Sequence, residues 1–285
     1  MGPIRATSRA LLLIALSVLA GAAGLLVSLL RLGGARGDRL ALRGVLVLQR
    51  LWCLGALAIL RLRVRTTGAP PREAVLLVSN HLSYVDVAVL GAARPMRFVS
   101  MAEVAHWPGI GWLARLARVI FLRRGARRDL LHVGKQIRAS LAAGVPVVVF
   151  PEGASTSGLD VGTFHAGLLQ PAAELGLPCL PVTVRYETPA GQPAPSECVC
   201  WWGDMTFPPH LWRLMALTGV VAEVSWGGQP VRDADRKALA AELQRRVAAR
   251  FVPVRQDTSA AVAASQGELE SRACAAAVGG LRTRG

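Results

Sequence analysis

The stretch "NHLSYVDVAVL", Asn80–Leu90, follows the apolar run Ala74–Ser79 and carries His81 and Asp86 with four residues between them. An imidazole with a pKa near 6.5 takes a proton from a hydroxyl at neutral pH. A carboxylate on its other nitrogen fixes the tautomer and stabilises the imidazolium. The spacing alone does not bring the two groups together. On a straight strand an odd spacing points them to opposite faces. On a continuous helix five residues turn about 500°, which leaves the side chains ~140° apart. A bend is required, and the sequence supplies one. Ala74–Ser79 reads as a strand, and the residues from Ser83 to Asp86 fit the start of a helix. His81 is then expected in the connecting turn and Asp86 in the first helical turn. The bland alternative makes Asp86 a helix cap and His81 an ordinary turn residue.

Three further stretches bear on that choice. "VVVFPEG" (Val147–Gly153) is a buried strand that delivers Glu152 to its exit, where open α/β sheets bind ligands. "VIFLRR" (Val119–Arg124) brings Arg123 and Arg124 to an edge. "LPCLPVTVRY" (Leu177–Tyr186) is another strand, opened by Pro178 and Pro181. Each stretch alone reads as loop, solvated surface or packing. Together and in this order they resemble the glycerolipid acyltransferase family typified by 1-acyl-glycerol-3-phosphate acyltransferases. That family carries His, four residues and Asp, then a Phe-Ile-x-Arg strand, then Phe-Pro-Glu-Gly-Thr-Arg-Ser, then a Pro-Val strand. His81 and Asp86 match the first motif, Phe121 and Arg124 the second, Phe150–Gly153 the third, and Pro181 with Val182 the fourth. The resemblance spans roughly Arg72 to Phe251.

The resemblance implies acyl transfer from a thioester to a lipid hydroxyl. His81 is the implied general base and Asp86 the group that orients it. Glu152 and Gly153 would hold the acceptor's polar head, and Arg124 would offer charge to an anionic group there. Pro181 and Val182 would pack near the site. The expected substrate contacts are therefore Arg123, Arg124, Glu152, Gly153 and Ser155. No metal or cofactor is implied beyond acyl-CoA or acyl carrier protein as donor. The sequence departs from the family pattern in three places. Ala154-Ser155-Thr156 replaces Thr-Arg-Ser, Arg118 stands where a Gly usually opens the second motif, and His165-Ala166 replaces a basic pair before Gly167. Arg presents a fork suited to phosphate oxygens, which Ser does not. With "WWGDMTFPPHLWRL" (Trp201–Leu214), the pattern also resembles bacterial acyltransferases that complete ornithine lipid, which has no phosphate. The expected acceptor is thus a lyso-lipid, either lyso-ornithine lipid or 1-acyl-glycerol-3-phosphate, with a lean to the former. The alternative is a lipid hydrolase that uses the same pair on water, although the chain has no Gly-x-Ser-x-Gly elbow.

Composition bounds what must position these residues. The chain has 285 residues, 52% hydrophobic, and a net charge of +15. That hydrophobic share leans toward membrane association. The charge calls for an anionic partner such as a membrane surface. Nucleic acid is disfavoured, because two Tyr and six Phe offer little stacking and no zinc-finger or RNA-recognition signature is present. Five scattered Cys suggest reduced thiols, with Cys198 and Cys200 on alternate positions of a strand. Ala10–Leu30 holds 21 residues without charge, about 30 Å of helix, and reads as a retained membrane helix rather than a signal peptide. Arg5 and Arg9 precede it, and Arg31, Arg36, Arg39 and Arg43 follow. The excess after the helix places the rest on the cytoplasmic side, in a bacterium the inner membrane. Gly44–Leu60 reads as a second, interfacial or re-entrant helix, with Arg61, Arg63 and Arg65 at the headgroups.

Residues 1–65 are then membrane-anchoring helices, 72–253 an acyltransferase domain and 254–285 a disordered tail, with a turn-rich boundary at Thr66–Pro71. Strands are expected over Ala74–Ser79, Met96–Ser100, Val119–Leu122, Val145–Phe150, Leu180–Tyr186, Cys198–Trp202 and Val220–Ser225. Helices are expected over Val85–Ala93, Gly109–Ala117, Arg127–Ala143, Ala166–Leu175 and Ala234–Phe251. The predicted fold is α/β, a mixed central sheet flanked by helices, with an N-terminal membrane-associated helical segment. The eight basic residues from Arg115 to Arg138 read as an anion-contacting face. Trp107–Leu116 is either an apolar lip or core. His106, His132 and His210 are expected at the surface or in loops, while His165 lies in a stretch expected to approach the acceptor.

Overall fold

A computed structural model describes residues 2–123 and 127–255. The chain begins with helices α1 (Gly2–Ser28) and α2 (Gly34–Leu60), then strands β1 (Leu62–Thr67) and β2 (Leu76–Ser79). Helix α3 (Val85–Ala93), strand β3 (Arg97–Met101), helix α4 (Ile110–Leu116), strand β4 (Ile120–Leu122) and helix α5 (Arg127–Ala142) follow. Then come β5 (Val147–Val149), α6 (Ala166–Glu174), β6 (Cys179–Glu187), α7 (Pro195–Cys198), α8 (Phe207–Ala216), β7 (Val220–Trp226) and α9 (Arg236–Ala248).

Among the described residues the strands form one sheet of order β1-β7-β6-β2-β5-β3-β4. All neighbours are parallel except the antiparallel β6–β7 pair. Such parallel strands are covered on both faces and so read as continuous apolar runs. Leu77 registers with Val148 on one side and Leu180 on the other. The period of two splits the core. Leu77, Phe98, Val148, Val182, Val184 and Tyr186 fill one face with α3 residues. Leu76, Val78, Ile120, Val147 and Val149 fill the other against α5, α6 and α9.

The expected α/β architecture is present, with three differences. Strand β1 lies where a headgroup cluster was expected: Leu62 is buried while Arg63 and Arg65 are exposed along a sheet edge. One buried residue leaves no alternation to read, and charge on an edge strand discourages pairing with other chains. Cys198–Trp202 is not a strand. Pro195 opens the one-turn helix α7, and the chain after it is irregular although Cys198 and Cys200 are buried. Helix α8 was not anticipated. Pro208 stands in its first turn, where a missing N–H costs no helical hydrogen bond.

Helices α1 and α2 are longer than their apolar runs and pair antiparallel, with Trp52 Nε1 donating to Ser17 Oγ at 3.0 Å. Arg5 and Arg9, expected as charges flanking a membrane helix, instead close the C-terminal end of α8. Arg5 donates to the Ala216 carbonyl at 2.9 Å, and Arg9 to those of Met215 and Leu217 at 2.9 and 2.7 Å. Cations there satisfy terminal carbonyls and complement the helix dipole. Farther along α1, the absence of a side chain at Gly21 admits the Trp112 ring of α4. The outer face is apolar and exposed, with Leu11, Val18, Leu25 and Leu12, Leu19, Leu26 recurring every seven residues. By length and composition α1 is able to cross a membrane, and so large an exposed apolar surface marks membrane association. Beyond α9, Val254 is buried and its N–H donates to the Gly158 carbonyl at 2.9 Å. The rest of the expected tail, from residue 256, lies outside the described residues.

Candidate active site

The site grows from the end of β2. The Asn80 side chain donates to the Val184 carbonyl at 2.9 Å and accepts the Val184 N–H at 2.8 Å. One amide thus staples the strand end to β6 and fixes where the chain leaves the sheet. His81, Leu82 and Ser83 form the turn, and Asp86 enters with the first turn of α3. Its Oδ2 accepts the N–H groups of Leu82 and Ser83 at 2.8 and 3.1 Å and lies 2.7 Å from His81 Nδ1. Its Oδ1 accepts the Tyr186 hydroxyl at 2.5 Å. Asp86 is therefore not the helix cap that the sequence offered as the alternative, since the N-cap of α3 is Tyr84 without a side-chain cap hydrogen bond. It closes the turn and it holds the histidine.

A carboxylate only accepts, so Nδ1 of His81 carries the proton and Nε2 keeps its lone pair. Among the described residues Nε2 has no hydrogen-bond partner. The ring stacks on Phe150 at 4.1 Å between centroids and 17° between planes, and the side chain is 21% exposed. The geometry is that of a base with one nitrogen tied back and the other open.

Glu152 grips the same turn from the other side. Its Oε2 accepts the His81 N–H at 2.9 Å and its Oε1 the Gly162 N–H at 3.0 Å. Burial pushes its carboxyl up to about 8, against the pull of those two N–H donors. The Thr156 N–H donates to the His81 carbonyl at 2.9 Å, and the Trp201 N–H to the Leu82 carbonyl at 2.8 Å.

Beyond Glu152 an open cavity of about 980 Å³ lies at the exits of β3 and β4 and beside the first turn of α6. Arg123, Glu152, Gly153, His165, Gln170 and Glu174 contribute to its walls. Gly153 has a φ of +74°, a conformation that favours glycine, and a side chain there would also meet the His165 ring at 3.3 Å.

The structure brings His81, Asp86 and Glu152 into one network and sets Gly153 and Arg123 on the adjoining cavity. Arg123 is 74% exposed on its side chain and forks onto Asp129 at 2.6 and 2.8 Å. Ser155 is turned elsewhere: its hydroxyl donates to the Trp201 carbonyl, and it does not line the cavity. Arg124 lies outside the described residues. Pro181 and Val182 sit in β6, with Val182 fully buried.

Sequence reasoning missed Asn80 and Tyr186. For Asn80 the signal was a polar residue directly after a run of buried ones. For Tyr186 no local signal existed, because its partner is a hundred residues away. His210, expected at the surface or in a loop, lies in α8 and is only 2% exposed. Its Nε2 donates to the Cys200 carbonyl at 2.9 Å, and Nδ1 accepts the Tyr84 hydroxyl at 3.0 Å. Burial lowers its pKa to about 4, so the ring stays neutral at pH 7.

A model of the acyltransferase family matches residues 61–185. The chain is 35% identical over 201 residues to the lyso-ornithine lipid O-acyltransferase of Pseudomonas aeruginosa, covering 70% of this chain and 76% of that one. It is 33% identical to the enzyme of that name from Rhizobium meliloti, covering 72% and 73%. To the 1-acyl-sn-glycerol-3-phosphate acyltransferase of Neisseria gonorrhoeae it is 29% identical, covering 68% and 77%. The fold is similar to the crystal structure of the 1-acyl-sn-glycerophosphate acyltransferase PlsC from Thermotoga maritima, with a TM-score of 0.61 at 22% identity, covering 87% and 96%. The chain belongs to the acyltransferase family, and it is an enzyme of that family.

Proposed function

We propose that the protein is a membrane-bound O-acyltransferase that completes a lyso-lipid, with His81 as general base. The observation that carries this reading is the 2.7 Å contact between His81 Nδ1 and Asp86 beside an open Nε2. The acceptor hydroxyl gives its proton to Nε2 as its oxygen attacks the thioester carbonyl. The tetrahedral intermediate collapses, the carbon–sulfur bond breaks, and the imidazolium returns the proton to the leaving thiolate. The donor is acyl-CoA or acyl carrier protein. Asp86 keeps the tautomer and stabilises the imidazolium, and positioning supplies much of the rest.

The acceptor head occupies the cavity at Glu152, Gly153 and Arg123. The head has no phosphate, as in the relatives named for lyso-ornithine lipid. Two features support this: Ser155 stands where the family pattern has Arg, and no basic pair precedes Gly167. Of these, only the second lies at the cavity wall, through His165. The α1–α2 pair anchors the enzyme, its exposed leucines in the lipid and the catalytic sheet on the cytoplasmic side of a bacterial inner membrane.

The test is purified protein in lipid, given an acyl donor with lysophosphatidic acid and lyso-ornithine lipid in equal amounts, with products identified by mass spectrometry. Acylated lyso-ornithine lipid is expected to dominate. His81→Ala is expected to lower transfer ~10²–10⁴-fold while the protein stays folded and membrane-bound. A variant with more than about half of wild-type turnover would remove His81 as the base. Free fatty acid as the main product would make the protein a hydrolase.

A further inference from the structure

We infer that Tyr186 is a positioning residue of the transfer reaction, which acts by holding the second oxygen of Asp86. The inference rests on the reading of His81 as base, and it adds a residue outside the positions matched to the family motifs.

The argument begins on β6. Leu180, Val182, Val184 and Tyr186 recur at every second residue and all belong to the same buried cluster. Three are aliphatic and the fourth carries a hydroxyl. Tyr186 is fully buried, and a buried hydroxyl without an acceptor is costly, so the phenol must find one. It finds Asp86 Oδ1 at 2.5 Å, a residue from a different element and a hundred positions earlier in the chain.

The pairing is specific to one oxygen. Oδ2 is occupied by His81 Nδ1 and by the N–H groups of Leu82 and Ser83. A carboxylate held through one oxygen still rotates about its Cβ–Cγ bond, and its charge tilts relative to the imidazole. The phenol removes that freedom by tying the other oxygen to a strand in the middle of the sheet. The Asn80 amide ties the same segment of chain to Val184, two residues before Tyr186. One strand therefore positions the histidine turn through Asn80 and the carboxylate through Tyr186.

Burial and the neighbouring Asp86 both raise the phenol well above its ordinary pKa, so it donates a hydrogen bond and does not give up its proton. Tyr186 does not touch substrate. Its effect passes through Asp86 to the ring of His81.

Tyr186→Phe keeps the ring and removes the hydroxyl. The expected result is a fall in kcat of about tenfold, the size that follows from losing one charge-assisted hydrogen bond. The KM values for donor and acceptor are expected to be unchanged, because neither binds at Tyr186. In an Asp86→Asn background the same change is expected to lower kcat by less than about twofold, since the charge it orients is gone. A purely structural tyrosine predicts equal proportional losses in both backgrounds. That result, or wild-type kcat in Tyr186→Phe alone, would overturn the inference. If Tyr186→Phe does not fold, 3-fluorotyrosine at position 186 keeps the shape and alters the strength of the hydrogen bond. Its kcat is expected to change, and an unchanged value overturns the inference. His81→Ala in the same assay separates the two claims. Loss of transfer there with wild-type kcat in Tyr186→Phe defeats only the tyrosine, whereas full transfer in His81→Ala defeats the base.

Discussion

Asp86 and Glu152 flank the same histidine, and the two carboxyl groups are used differently. Both are largely buried, at 0% and 7% exposure, and both accept backbone N–H groups from the turn that carries His81. Asp86 also receives two side chains, the His81 ring and the Tyr186 phenol, and donors reach both of its oxygens. Among the described residues Glu152 receives only the backbone N–H groups of His81 and Gly162, and burial outweighs them to push its carboxyl up to about 8. Donor supply separates a carboxylate whose charge is used on the ring from a carboxyl that serves as a clamp. Glu152 also borders the cavity, whereas Asp86 is sealed.

The sharpest way to break this comparison is to replace each carboxyl by the amide of the same shape. Asp86→Asn is expected to have the larger effect. The amide oxygen takes the Oδ2 place, where three donors converge, and the amide nitrogen faces Tyr186. The histidine tautomer is then kept and only the charge is lost. A fall in kcat of ~10²-fold is expected, smaller than for loss of a base or for loss of the tautomer, with little change in acceptor KM. Steady-state kinetics on the purified variant check it. Turnover like that of the wild type would reduce Asp86 to a residue that closes the turn before α3.

Glu152→Gln is expected to lower kcat by about tenfold or less, because one of two backbone N–H groups then faces a donor and the histidine turn loosens. Its signature lies in stability. The folded protein holds the Glu152 proton up to about pH 8, while the unfolded chain releases it near its ordinary value of 4.5. Between those values folding takes up a proton, so this group makes the wild type less stable as pH rises through that window. Glu152→Gln should flatten that part of the profile. Melting temperatures measured at pH 5 and pH 8 provide the check, and an unchanged difference between them would show that Glu152 is not the titrating group.

The sequence made the central sheet legible because its strands are continuous apolar runs between turn residues, and Val147–Val149 shows this best. The bend between His81 and Asp86 was legible as well, since a strand and a helix start leave only a turn between them. Edge strand β1 was not, because only Leu62 in it is buried and no alternation results. Cys198–Trp202 carried a strand's composition, yet Pro195 starts a helical turn and the residues after it bind the histidine turn instead of a sheet. Arg5 and Arg9 were read as flanking charges because the sequence does not show which helix end they will meet. Arg118 has a physical story that only the backbone reveals. Its φ is +58°, the left-handed region that suits the Gly of the family pattern, and its guanidinium lies 3.9 Å from Asp38 at the start of α2. Tyr186 and Asn80 depend on contacts across the sheet, which local pattern does not encode.

The smallest expected effect lies on the cavity side of Glu152 and concerns the acceptor head. His165 ends the loop after Glu152, and its N–H donates to the Pro151 carbonyl at 2.8 Å. The ring is exposed, lies over Gly153 and has no hydrogen-bond partner among the described residues. It stands where the family pattern carries one of a pair of lysines. His165→Lys places an ammonium on the cavity wall without disturbing the Asp86 side. An ammonium there favours a doubly charged phosphate over a carboxylate, but it remains solvated, so its contribution is at most about 1 kcal/mol. That converts to roughly a threefold to fivefold rise in kcat/KM for lysophosphatidic acid relative to lyso-ornithine lipid. kcat with a saturating acceptor should stay near the wild-type value, because the base and its carboxylate are untouched. An unchanged ratio would mean that the head does not reach His165, and it would move the acceptor site away from this cavity while leaving the Asp86 side of the comparison intact.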